Sequence, residues 1–258
     1  MAEDRRPRTI IRGTHALINL RGINLNPGAE PEDMIPLRFF VQDNRVITVC
    51  GRQLKATEDR VRQLQTQKVS PTPGGFVAGY ALALSERMAP TITDLNEQVD
   101  ALEEMLDADK SGNARSQVSE LRRDAIVLRR YLAPQRDALN MLSAQSLDWI
   151  SPDDQLRLRD SADQAARITE ELEAVRERCA IVKDQLTDMR AEEMNRNMMI
   201  LSVVAAIFLP LGLISGMMGI NVGGMPWVGS SLGFWYVSAV VVGIGIIQLF
   251  IFRLMKWI

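Results

Sequence analysis

Hydrophobic positions follow three regimes along the chain: short β-like runs, helical stripes, and an unbroken apolar stretch. Residues 9–50 belong to the first. Thr9–Ile23 is rich in Ile, Leu and Thr. Leu37–Val41 leads through Gln42-Asp43-Asn44 into Val46–Val49, the pattern of a hairpin around an Asp-Asn turn. Pro27, Gly28, Pro31 and Pro36 separate the first run from the second. Three strands make a thin sheet that needs helices against it. Pro71-Thr72-Pro73-Gly74-Gly75 closes this β-rich region, residues 1–74.

The helical regime follows. Residues 75–150 read as two antiparallel helices. The first carries Ile92, Leu95, Val99, Leu102 and Met105 or Leu106, and ends near Ser111-Gly112-Asn113. The second carries Val118, Leu121, Ala125, Leu128, Leu132, Leu139 and Leu142 at three- and four-residue steps, with Gln135 at the one polar step. Pro134 inside it predicts a kink. A third helix starts at Ser151-Pro152-Asp153-Asp154, which supplies an N-cap, a proline for the first helical position and two carboxylates for the positive end of the dipole. Its stripe is Leu158, Ala162, Ala165, Ile168, Leu172, Val175, Cys179, Val182, Leu186 and Met189, the pattern of a bundle core or a coiled-coil seam. No Gly or Pro interrupts it before Pro210. Residues 151–197 therefore read as a stalk that continues into the next segment, a rod of roughly 100 Å from Pro152 to Met218.

The third regime is Met198–Phe252, 55 residues without one Asp, Glu, Lys, Arg or His. It holds two stretches, 198–218 and 232–252, each long enough to span a hydrocarbon core. The uncharged loop between them, 219–231, contains Gly, Pro, Asn, Trp and Ser. Arg190 and Arg196 precede the first span, Arg253 and Lys256 follow the second, and the loop has no cation. Both termini, including the tail 253–258, are thus expected on the cytoplasmic side. Trp227, Trp235, Tyr236 and Trp257 lie near the expected interfaces. The charged start, Met1–Arg8, has no apolar segment behind it, so a signal peptide is not expected there.

Composition adds exclusions. Lys+Arg 30 against Asp+Glu 32 gives a net charge of −2, which offers no electrostatic case for nucleic acid. Cys50 and Cys179 are far apart, without ligand spacing, and as cytoplasmic residues are expected reduced. The single histidine, His15, reads as a polar strand residue. No Gly-rich phosphate loop, nucleophile elbow or metalloprotease helix occurs, so neither an enzyme nor a bound cofactor is expected. The Asp and Glu of 151–193 alternate with Arg, as on a solvated stalk face.

At Gly219-Ile220-Asn221 the chain resembles the CorA family of divalent-cation transporters, whose signature is Gly-Met-Asn at the outer end of the first span. The surrounding Ile207-Phe208-Leu209-Pro210, Gly216 and Met225-Pro226 fit the same pattern. Isoleucine in the middle of the signature matches the ZntB zinc-transporter branch. So do Arg129-Arg130-Tyr131-Leu132-Ala133-Pro134-Gln135-Arg136-Asp137 and the closing Lys256-Trp257-Ile258. Members of this branch usually have a larger N-terminal α/β domain, so beside them the chain is N-terminally short. The resemblance implies an α+β, mostly helical membrane protein. It would have a partial cytoplasmic α/β domain, a long stalk helix and a two-span C-terminal hairpin, arranged as a CorA-like funnel in the cell inner membrane.

Two spans cannot enclose an aqueous path, so conduction needs a homo-oligomer in the lipid bilayer. The resemblance implies a pentamer with the first spans lining the pore. At helical spacing the inward stripe is then Asn195, Met198, Leu201 (or Ser202), Ala205, Leu209, Gly212 and Gly216. Small residues permit close helix approach, and apolar rings of Met198, Leu201 and Leu209 can gate by dewetting. Gly219 is expected to let the backbone turn and Ile220 to pack beneath the ring. Asn221 carries the expected chemistry: five side-chain carbonyls at the mouth that accept from the water of a hydrated cation. Glu192 and Glu193 are candidates for an acidic collar at the cytoplasmic entrance. Tight Zn²⁺ sites use Cys, His and carboxylate in tetrahedral sets, which the spans lack. A ring of Cys179 thiols between copies is the weaker alternative, and passage of a largely hydrated ion the better expectation. The function expected is divalent-cation transport, Zn²⁺ first. A Mg²⁺/Co²⁺ channel and a non-conducting membrane-anchored coiled-coil scaffold are the alternatives.

Overall fold

The computed structural model describes residues 6–66, 72–107, 113–220 and 229–255. The chain divides into two compact units, Met1–Leu186 and Thr187–Ile258.

In the first unit an antiparallel sheet runs in chain order, β1 (Arg8–Arg12), β2 (His15–Gly22), β3 (Ile35–Gln42) and β4 (Arg45–Cys50). This corrects the expectation of three strands. Thr9–Ile23 is not one strand, because Gly13, at φ 59, turns the chain and pairs Arg12 with His15. A two-residue hairpin needs a left-handed conformation that glycine adopts without strain. The Asp43-Asn44 turn lies where the sequence placed it, with Asp43 at φ 49 and Gln42 opposite Arg45. Alternation puts Ala16, Ile18 and Leu20 of β2 and Ile35, Leu37, Phe39 and Val41 of β3 on one buried face.

Helices cover that face. Those that share its core are α1 (Lys55–Gln65), α2 (Pro73–Glu86), α4 (Ala114–Ser143) and the start of α5 (Pro152–Met218); the other described helices are α3 (Ala89–Asp107) and, in the second unit, α6 (Gly233–Leu254). The sheet core includes Val77, Ala78, Tyr80, Ala81 and Leu84 of α2, Leu139 and Leu142 of α4, and Leu158 and Ala162 of α5. Phe39 meets the Tyr80 ring edge-on, with centroids 5.3 Å apart. Residues 75–150 thus hold parts of three helices rather than two. The break at Arg87-Met88 separates α2 from α3, and α4 runs through Pro134 to Ser143.

Gln135, the polar step in α4, has a structural partner. The pairing of β1 with β2 ends at Arg8 opposite Asn19, which leaves the β2 edge open beyond that point. Gln135 Oε1 fills it by accepting from the Arg21 backbone N–H at 2.7 Å. The Arg21 guanidinium lies 4.1 Å from the centroid of Tyr131 and donates to the Met34 carbonyl at 2.9 Å. Two residues of the 129–137 motif therefore dock α4 on the sheet.

The starts of α2 and α5 share a cap. Asp154 N–H donates to Ser151 Oγ at 3.2 Å, and Ser151 N–H donates to Asp154 Oδ2 at 3.1 Å, a reciprocal capping box. Thr72 Oγ1 donates to Asp154 Oδ2 at 3.0 Å and accepts from Gly75 N–H at the first turn of α2. Asp154 is only 2% exposed. Asp154→Ala removes acceptors for both groups, and we expect it to cost about 2 kcal/mol. Thermal unfolding of the helical signal checks this, and Asp154→Asn, which keeps one oxygen, should lose less.

The α5 stripe from Leu158 to Leu186 is buried inside this unit of a single chain. Ion pairs flank it. Arg178 reaches Glu103 at 2.7 Å and also Asp100 on α3, and Arg129 on α4 reaches Glu173 at 2.7 Å. Of the two readings of the stripe, bundle core is the one observed. Burial also pushes the Cys179 thiol up, and at 1% exposure it faces its own bundle rather than an axis between copies. The Cys179 ring is thereby overturned.

Candidate functional site

The second unit contains the end of α5 and all of α6, both long and apolar enough to cross a membrane. They meet where Gln248 Nε2 donates to the Ala206 carbonyl at 3.4 Å and where Gly245 lies against Leu211. On α5 the residues that lose exposure are Val203, Ile207, Pro210, Leu211 and Ile214. On α6 they include Val237, Val241, Ile244, Gly245, Gln248 and Phe252. Each set follows the helical period, so each is one stripe.

The expected pore residues lie elsewhere on α5. Leu201, Ala205, Leu209, Gly212 and Gly216 fall about 180° around the helix from the α6-facing stripe. All five are exposed in the protomer, Leu201 at 69% and Leu209 at 73%. Asn195 and Met198 continue the series and are also exposed. A Cβ added at Gly212 or Gly216 would meet nothing within 4 Å. Packing inside the chain therefore gives no reason for either glycine, and close approach between copies would give one. Glu192 and Glu193 are exposed as well.

The signature is described in part. Gly219 N–H bonds the Ser215 and Gly216 carbonyls, each at 3.1 Å, and Ile220 N–H bonds Met217 O at 3.4 Å. Gly219 thus closes the last turn of α5. Among the described residues positive φ occurs at Gly13, Gly28, Asp43 and Gly229, not at Gly219, so its backbone is not left-handed. Ile220 is 54% exposed, and its packing beneath a ring remains a matter of the assembly. Asn221 lies outside the described residues.

Elsewhere the candidates have local roles. His15 opens β2, with Nδ1 3.1 Å from Thr14 Oγ1 and its ring beside Phe40. Cys50 Sγ donates to the Arg52 carbonyl at 3.1 Å, and burial raises its pKa. Among the described residues no three of His, Cys, Asp and Glu gather to hold a metal ion. Gln248 is the residue the periodic reading missed. Its signal was a single amide in the otherwise apolar run between Ser238 and Arg253.

Residues 1–254 match the family described as "CorA-like Mg2+ transporter protein". The chain belongs to the CorA family. It is 38% identical over 260 residues to "Divalent cation transporter CmaX" of Pseudomonas aeruginosa, covering 100% of this chain and 78% of that protein. It is 33% identical over 233 residues to "Zinc transport protein ZntB" of Pectobacterium atrosepticum, covering 90% and 71% respectively. The full-length CmaX structure superposes with a TM-score of 0.83 at 38% identity, over 99% of this chain and 79% of that one. The CorA magnesium transporter of Methanocaldococcus jannaschii superposes at 0.87 over 98% and 80%, and at 22% identity it speaks for the fold alone. The long helix, apolar hairpin and small antiparallel sheet are the CorA-like architecture that the signature implied.

Proposed function

We propose that this CorA-family protein carries divalent cations, Zn²⁺ foremost, through a pore made by five copies in the cell inner membrane. Both termini face the cytoplasm. The end of α5 lines the path, α6 backs it toward lipid, and Asn221 rings the outer mouth. The observation that carries this reading is the two-faced end of α5. One stripe packs on α6, while the opposite one, with Ala205, Gly212 and Gly216, is left for other copies. Similarity to a zinc transport protein and to a divalent cation transporter supports the choice of cargo.

No Cys, His or carboxylate lies in 198–252, so the ion keeps much of its water, and discrimination rests on the mouth and the constrictions. Uptake of radioactive zinc into liposomes containing the purified protein tests this. Uptake that excess Mg²⁺ does not suppress is expected. Suppression favours a Mg²⁺/Co²⁺ channel, which the family description supports. Absence of flux for every ion leaves a non-conducting scaffold.

The acidic collar has its own test. Exposed carboxylates at an entrance raise the local cation concentration. Neutralising both Glu192 and Glu193 to Gln should slow uptake by roughly tenfold at low salt and less at high salt, where charges are screened. Initial rates across ionic strength check it. His15→Ala should leave any pH dependence unchanged.

A further inference from the structure

Pro210 sits inside α5, in the half that crosses the membrane. Proline has no N–H, so the Ala206 carbonyl, four residues earlier, loses its partner on the helix. In hydrocarbon no water can replace that partner. The donor comes from the other helix, since Gln248 Nε2 reaches this same carbonyl, at 3.4 Å. Between Ser238 and Arg253, Gln248 is the one polar side chain of α6. Pro210 lies on the stripe that faces α6. Glycine at 245 brings α6 close to Leu211, since a Cβ there would already be 3.6 Å from Leu211 Cδ1. Gln248 Oε1 is fully buried without a partner, so this amide is not held for that oxygen's sake.

We propose that Gln248 is a positioning residue for the pore helix, its amide replacing the backbone bond that Pro210 removes. The inference rests on the reading that α5 lines the pore. The carbonyl it ties lies between Ala205 and Leu209 of the exposed stripe, so the bond sets where those two side chains point. A proline without this donor would leave α5 weak at its constriction. With the donor, α6 splints it.

The test is a double-mutant cycle in the full chain, made with Gln248→Leu, Pro210→Ala and the pair. Gln248→Leu is expected to change zinc flux about fivefold or more in assembled protein. In the Pro210→Ala background the new N–H at position 210 bonds Ala206, and the same substitution should then change flux less than about twofold. Equal effects in both backgrounds, or wild-type flux in Gln248→Leu, would overturn the proposal. The same cycle is read in the thermal midpoint, which needs no transport. Coupling in both midpoint and flux supports the positioning role. Coupling in the midpoint alone, in conducting protein, makes the bond merely structural and overturns it. Coupling in the midpoint with no flux from the wild type for any ion keeps the helix–helix bond, refutes the pore reading and with it the positioning role.

Discussion

Asn221→Ala is expected to abolish cation uptake, by about a hundredfold or more, while assembly stays intact. Five copies would lose five side-chain carbonyls at the mouth at once. On the proposed mechanism each would accept a hydrogen bond from the water of an arriving ion, and each such bond is worth about 1 kcal/mol net. A combined loss of about 3 kcal/mol already amounts to two orders of magnitude. The position follows directly on Ile220, beyond the end of α5 at Met218, so the substitution is expected to spare the helix. Ile220→Met should be milder and shift ion preference more than rate, because Ile220 offers no oxygen. Flux assays and oligomer size on the same liposome preparations check both. Wild-type uptake by assembled Asn221→Ala protein would remove Asn221 from the mechanism.

Leu172→Asp should strike the protomer rather than the contact between copies. Leu172 has no exposure in the single chain and lies in the stripe flanked by ion pairs from α3 and α4. Loss of the leucine costs about 2–5 kcal/mol, and an unpaired carboxylate in the same place adds a desolvation penalty. Against a total stability of about 5–15 kcal/mol, the first unit should be largely unfolded or melt far lower at neutral pH. Burial raises the pKa of the introduced carboxyl above its unfolded value. The damage is therefore least below the unfolded value, near pH 4, and grows as pH rises through the folded one. Thermal unfolding of the helical signal at pH 4.5 and 7.5 checks the sign. An unchanged midpoint at neutral pH would refute the intrachain packing.

Much of this architecture was readable because period and burial coincide. The α4 positions from Val118 to Leu142 and the α5 stripe are buried as their spacing required, and the charge-free run of 198–252 announced the hairpin. The unreadable parts lacked such a period. In α2, Phe76, Val77, Ala78, Tyr80, Ala81 and Leu82 are almost continuously apolar, since the helix is packed on several sides. In α1 only Ala56 and Arg60 are buried, so its polar sequence carries no stripe. The first hairpin hid behind a single glycine. The α5 face that is exposed in the protomer was projected at helical spacing from the family resemblance, and its proposed chemistry would need several copies, which one chain does not show. The Gln248–Ala206 bond needed the register of two helices, which no one-dimensional pattern supplies.

The way Gln135 meets β2 also bears on aggregation. A strand with free N–H groups along its edge is a template for a strand from another molecule. Here β1 ends early, and the part of the β2 edge that β1 leaves unpaired falls at Arg21, a buried residue. Gln135 occupies the Arg21 N–H from a rigid helix, so another polypeptide arriving there finds its first rung already taken. If copies of the chain gather in one membrane as proposed, a rung occupied in this way would leave neighbouring sheets one fewer free N–H to pair through.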